Sequence, residues 1–453
     1  MSGREDIERP PDKDSECRDW SQRVTYSYVT GVYLAINAIR DAYLLMESPD
    51  CAHLKTQFVQ GNHDWMSDLT SVSGHHRIAN TGLHPVQMTQ SREGVIREAL
   101  MRIATHESAG GVLLASMPMA YVTGADYERL CDEVSEATGK TVIPVPGKSL
   151  SGDWMDGYAE TLLAVARGLD LEGATPSPEK VAIVGYLFDR NEGDHRANVR
   201  DLRLAISALG LDPVSVWLEG QRFEDLAAVR EAGLILSFPY GRKAARWIAK
   251  RTGARLIECE LPFGLEATER WIRLIGSLTG REQRAEAYID RSLAEVIPAL
   301  EWVIPYLFQG RRFGYVGDPV LVKGVSQSAA MLGARLSFAV ITNMSHHTAG
   351  LDLGDGVRVL EYPRLRQFSE FFQSLESERN VDLVIANNPG IGRLPVASVQ
   401  LGFPSMYEHH LYPRPFLGFG GFLAFADALA NAIRREEVAR TSPLGRGPGM
   451  HSV

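Results

Sequence analysis

The sequence predicts an α/β chain built of three consecutive units, each a parallel sheet flanked by helices. Strand-length apolar runs alternate with helical segments along most of the chain. The runs are apolar at successive positions, as in strands covered on both faces. The length of 453 residues leaves room for two to four domains of roughly 100–200 residues each.

The first unit holds "GVYLAINAIRDAYLLMESPDC", where an apolar run meets a Ser-Pro-Asp turn and then Cys51. It continues with the strand "GGVLLASMP", the helix "DYERLCDEVSEATG" and the strand "TVIPVPG". The second opens on "KVAIVGYLFD" and the helical "HRANVRDLRLAISALGL", which has a Gly stop. "DPVSVWLEG", "GLILSFPYG", "RKAARWIAKRTG" and "ARLIECELP" continue the alternation. A long helical stretch from Glu266 to Gly310 bridges to the third unit. That unit runs "RFGYVGDP", "VLVKGVSQSAAMLG", "ARLSFAVIT", "VDLVIANNPG" and "VASVQLGFP". The expected boundaries are 21–170, 171–300 and 301–437, with "ATPSPEK" (174–180) as a linker. Polar tails, expected to be disordered, occupy 1–20 and 438–453. In such sheets ligands sit beyond the carboxyl ends of the strands, here near Pro118, Pro239, Asp318 and Asn387.

Composition excludes several functions. The net charge is -9 and no basic cluster is interleaved with aromatics, which argues against nucleic acid and anionic membranes as partners. No apolar run reaches the ~18 residues that span a bilayer, and the polar start has no secretory core, so a cytoplasmic location is expected. The four cysteines (Cys17, Cys51, Cys131, Cys259) are scattered and form no CxxC, so neither a disulfide framework nor the usual zinc pattern is present. "VPGKSL" carries Gly-Lys-Ser, but Val142 stands where a phosphate loop needs its first glycine.

Cys131 falls in an amphipathic helix and Cys259 in a strand, and both read as buried packing residues. Cys51 stands at a loop fed by a strand end, where a thiolate can bind a metal cluster. The adjacent pairs His75-His76, His346-His347 and His409-His410 are expected to point apart and not to share a metal. The segment holding His63, Asp64, Asp68, His75 and His76 reads either as a site lining or as a polar turn-rich loop.

Four stretches taken in order resemble the nitrogenase component 1 family, most closely its β-type subunits. They are "GVYLAINAIRDAYLLMESPDC", "LPFGLEATERWIRLIGSLTGR", "GRRFGYVGDPVLVKGVSQSAAMLGA" and "LGFPSMYEHHLYPRPFLGFGGFLAFADALANAI". The similarity covers roughly residues 25–435. It implies three Rossmann-like domains and an α/β-type heteromer, usually α2β2. It also implies an ATP-dependent iron-sulfur reductase protein that docks on the complex, and an iron-sulfur cluster at the subunit interface.

By that resemblance Cys51 is a cluster ligand. The family's earlier ligand falls around Ser27 and its third near Pro118, and this chain has no cysteine at either place. Cys17 fits the earlier position only if a short insertion intervenes. Ser149 and Ser151 match a segment that carries a cluster-side serine. Pro239 and Leu417 stand where an α-type subunit anchors its active-site cofactor with Cys and His. The resemblance therefore implies a [4Fe-4S] cluster held mainly by the partner, relaying electrons to a partner-held site. A scaffold for metal-cofactor assembly, a tetrapyrrole (chlorophyllide-type) reductase subunit, and a structural relative without a cluster are the alternatives.

Overall fold

The computed structural model describes residues 22–70, 76–147 and 151–442. Three parallel sheets follow one another along the chain. The first has the order β2-β1-β3-β4, with β1 Ala42–Glu47, β2 Ile78–Asn80, β3 Gly111–Ser116 and β4 Thr141–Pro144. The second has the order β6-β5-β7-β8, with β5 Ser177–Val184, β6 Asp212–Val216, β7 Ala232–Ser237 and β8 Arg255–Glu258. The third has the order β11-β10-β9-β12-β13, with β9 Arg312–Gly317, β10 Arg335–Ile341, β11 Arg358–Glu361, β12 Leu383–Ala386 and β13 Ala397–Gln400. All pairings are parallel. β1 and β3 are buried at every position, as expected of strands covered on both faces.

The three sheets share one topological feature. In each, the first strand connects toward one edge while its neighbour connects toward the other. These switch points lie between β1 and β3, β5 and β7, and β9 and β12. Such a point opens a crevice beyond the strand ends. The residues that follow these strands are Ser48 to Cys51 and Pro118, then Gly185 to Asn191 and Pro239, then Asp318 and Asn387.

The helices that matter for the site are α1 Tyr28–Asn37, α2 Ala52–Val59, α3 Glu93–Ala104, α4 Tyr127–Thr138, α5 Trp154–Gly168 and α6 Gly193–Ala208. α1 is buried along its whole length. It crosses α5 at backbone contact: a Cβ at Gly31 would lie 1.8 Å from the Trp154 carbonyl oxygen, and one at Gly157 1.9 Å from that of Tyr28. Only glycine permits this approach.

Three sequence expectations change. β5 begins at Ser177 and pairs there with Ala232, so most of the expected linker 174–180 is strand. The long helical stretch divides into α7 Leu265–Thr279 and α8 Glu282–Leu300, separated at Gly280 with φ +67, followed by a short turn at Ile304–Phe308. The final helix, α9 Gly418–Thr441, runs past residue 437. Residues 1–20, with Cys17, lie outside the described residues, as do Ser149, His75 and 443–453. Among the described residues no helix is long and apolar enough to cross a membrane.

Candidate functional site

β1 delivers its last residue, Glu47, into the interior, where the carboxylate pairs with Arg92 at 3.2 Å. The backbone just beyond is held on both flanks. Met117 N–H donates to Glu47 O (3.1 Å) and Leu83 N–H to Ser48 O (2.9 Å). The Ser-Pro-Asp turn then places Cys51 at the N-cap of α2, with its thiol exposed. This is the crevice between β1 and β3. One turn into α2, Lys55 Nζ donates to Ser27 Oγ at 3.0 Å. Burial holds Lys55 below the ordinary lysine value, while a Cys51 thiolate pulls it back up, so the two groups sense each other.

Ser27 also bridges to Asp153, two residues past Ser151. Cys51, Ser27, Pro118 and Ser151 therefore gather at one edge of the first sheet. Leu54, Val86 and Val122 follow β1, β2 and β3 at that edge, and they are 68%, 83% and 72% exposed. Large apolar side chains exposed in the segments after three neighbouring strands form a surface suited to a partner. Among the described residues no second cysteine stands there. Cys131 is buried in α4 and Cys259 follows β8; burial pushes their thiols up to about 12 and about 11. Both are packing residues, as the sequence suggested.

The second and third switch points face each other across a buried charged cluster. Asp189 Oδ1 lies 2.7 Å from His195 Nε2, and Asp189 Oδ2 lies 3.6 Å from His63 Nε2. The cationic neighbours hold Asp189 well below the usual carboxylate range against a large burial penalty. The carboxylates hold His195 above its ordinary value, and burial pushes His63 down. His63 Nδ1 accepts from Ser405 N–H at 3.0 Å, so the neutral ring carries its proton on Nε2.

Neighbouring carboxylates tie the three units together. Asp64 Oδ2 accepts from Asn37 Nδ2 (2.8 Å) and Asn191 N–H (2.8 Å). Glu192 accepts from Trp65 N–H (3.0 Å), His409 Nδ1 (2.6 Å) and His410 N–H (2.8 Å). The cavity lined by His63, Asp189, Arg190, His195, Glu408 and His410 encloses about 60 Å³. That is room for a few waters, each of which needs ~10–15 Å³ of such space. Pro239 and the fully buried Leu417 offer no metal-binding atom nearby. The cluster ties the domains together.

The loop from His63 to His76 is thus split among three places. His63 and Asp64 enter the interdomain cluster, Asp68 pairs with Arg77 at 2.5 Å, and His76 packs near His53 beside Cys51. Of the histidine pairs, His409 and His410 do diverge, one using its ring on Glu192 and the other its backbone. His346-His347 does not. It sits in a 3-10 turn, and both rings reach Asp156. The tighter winding and the open loop end override the divergence expected of a regular helix or strand. Sequence reasoning missed Lys55, Asp189, His195, Asp153 and Asp156. Of these, only the N-cap pattern at Asp153 carries a local signal.

Three parallel sheets flanked by helices, with an exposed cysteine beyond the first switch point, define the chain as an α/β protein of repeated Rossmann-like architecture. Residues 27–434 match the family described as nitrogenase component 1 type oxidoreductase, and the chain belongs to that family. It is 23% identical over 330 residues to the nitrogenase vanadium-iron protein beta chain of Trichormus variabilis, covering 64% of this chain and 67% of that one. It is 23% identical over 328 residues to the light-independent protochlorophyllide reductase subunit N of Roseiflexus sp., covering 70% and 72%. A solved structure of nitrogenase Cp1 at pH 6.5 superposes with TM-score 0.77 at 18% identity over 97% of both chains, which shows the shared fold. The chain is a nitrogenase-like oxidoreductase subunit.

Proposed function

We propose that this chain is the β-type subunit of a nitrogenase-like reductase complex, and that Cys51 ligates an iron-sulfur cluster shared with an α-type partner. The observation that carries this reading is the exposed Cys51 thiol at the β1/β3 crevice, with exposed Leu54, Val86 and Val122 in the segments that follow β1, β2 and β3. One thiol fits one ligand of a [4Fe-4S] cluster, with the partner supplying the rest. The cluster, when bound, supplies one-electron relay from an ATP-dependent iron-protein reductase to a partner-held active site. Within this chain, Lys55 offsets the negative charge of the thiolate, and the apolar rim excludes water once the partner covers it. The buried Glu47–Arg92 pair fixes the strand end that presents Cys51. Ser149, Ser151 and Cys17 are secondary candidates at the same cluster.

Anaerobic co-expression with the α-type partner, followed by iron analysis and EPR, tests the reading. The Cys51→Ala complex should lose the cluster signal, and an unchanged signal would falsify the assignment. The similarity to protochlorophyllide reductase subunit N favours a second reading, a tetrapyrrole reductase subunit. Absorbance change of a chlorophyllide-type substrate during turnover decides between the two.

A further inference from the structure

Beyond Ser27, which bridges to Asp153, the start of α5 faces the loop that follows β10. Asp153, the N-cap of α5, is buried and fully engaged. Its Oδ1 accepts from Met155 N–H (2.9 Å) and Asp156 N–H (3.4 Å). Its Oδ2 accepts from Asn343 Nδ2 (3.0 Å) and Met344 N–H (2.8 Å). These last two bonds dock the end of β10 onto the first domain. The chain then turns through the 3-10 segment Ser345–His347, which sets the two imidazoles 4.0 Å apart between centroids. Both rings aim Nε2 at the same carboxylate. His346 Nε2 lies 3.0 Å from each oxygen of Asp156, and His347 Nε2 lies 3.2 Å from Asp156 Oδ2 and 3.1 Å from Asp153 Oδ1. One ligand atom from each of Asp156, His346 and His347 lies within 4.8 Å of the other two.

We propose that Asp156, His346 and His347 bind a divalent transition-metal ion that clips the first domain to the third. Two imidazole nitrogens and one carboxylate are the donor set of zinc and iron(II) sites, and not of magnesium or calcium, which take oxygen ligands. The side chain of His346 is half exposed, so the ion reaches the site from solvent and keeps positions open to water. Asp153 Oδ1 meets the same Nε2 of His347 that faces Asp156, and four N–H donors hold that carboxylate in place beside the site. Asp156, His346 and His347 are distinct from Cys51 and its neighbours Ser27 and Lys55, and the proposal does not depend on what Cys51 binds.

Metal and proton compete for the ring nitrogens. The test uses the chelator-stripped full chain titrated with Co²⁺, followed by visible ligand-field absorbance and by thermal melting. One saturating equivalent is expected, with a rise in Tm, in the wild type and equally in Cys51→Ala, which removes thiolate binding from the readout. His346→Ala, at a half-exposed position where the metal-free melt should not move, should weaken binding by about tenfold or more. Asp156→Asn should do the same. No saturable band, or a band of equal strength in the His346→Ala and His347→Ala double variant, overturns the proposal and leaves the two histidines as hydrogen-bonded partners of Asp156.

Discussion

Replacing Gly157 by alanine tests how the first domain is assembled. Gly157 lies in α5, and its added Cβ would sit 1.9 Å from the Tyr28 carbonyl oxygen at the start of α1. Real contacts essentially never fall below 3.0 Å, so the helices must separate by more than ~1 Å, and the obstructing atom is backbone that cannot rotate aside. Overpacking of this kind costs about 3 kcal/mol. Alanine regains ~1 kcal/mol of helix propensity over glycine, which leaves a net loss of about 2 kcal/mol. Gly31→Ala strikes the Trp154 carbonyl from the other side at 1.8 Å and should cost a similar amount. One separation relieves both clashes, so the double variant should lose less than the sum. Gly94→Ala in α3, with nothing within 4 Å of the new carbon, should be neutral or slightly stabilising. Urea unfolding midpoints of the full chain measure all four. If Gly157→Ala is as stable as Gly94→Ala, the close crossing of α1 and α5 is not a feature of the folded protein.

Arg92→Ala strands the buried carboxylate of Glu47 and should cost ~3 kcal/mol in urea unfolding, with faster alkylation of Cys51 as the strand end loosens. Burial raises the Asp318 carboxyl to about 6 from 3.8. The native state therefore keeps a proton that the unfolded chain gives up, and stability falls as pH rises through roughly 4 to 6. Asp318→Asn, which keeps an acceptor for Tyr240 and α10 (Leu321–Met331), should abolish that fall. It should be more stable than wild type by about 3 kcal/mol above pH 6 and equal to it near pH 4, and a wild-type-like pH profile of unfolding midpoints refutes the assignment. Leu54→Asp and Val122→Asp should leave the melting temperature of the isolated chain unchanged while weakening its association with the α-type partner. Sedimentation of the mixed subunits reads this directly, and undiminished association would place the interface elsewhere.

Local pattern was enough to read the strand–helix alternation. β3, α4 and β4, or β9, α10 and β10, each carry an apolar run, an amphipathic helix and a glycine or proline stop in one continuous stretch. β11 was not read because it is short and largely exposed and has no apolar run, and helix α11 (Leu365–Glu378) was passed over although Phe368, Phe372 and Leu375 recur at helical spacing. Cys51 was legible because its strand, turn and thiol are contiguous. The interdomain cluster was not. His63 meets Ser405 across 342 positions and Asp64 meets Asn191 across 127, and such pairings follow from how the sheets stack and leave no mark on spacing. The His346-His347 pair shows the opposite failure: a sound local rule, divergence of neighbouring side chains, gave way because the segment is a 3-10 turn at a loop end facing two carboxylates.

The central claim is that Cys51 is a sulfur ligand of a cluster shared with the partner. The Mössbauer spectrum of the ⁵⁷Fe-enriched complex, compared between wild type and Cys51→Ser, addresses it most directly. The account predicts that one iron site of the cluster changes its isomer shift and quadrupole splitting while the partner-ligated irons keep theirs. A spectrum identical to wild type, with full iron content, would contradict it.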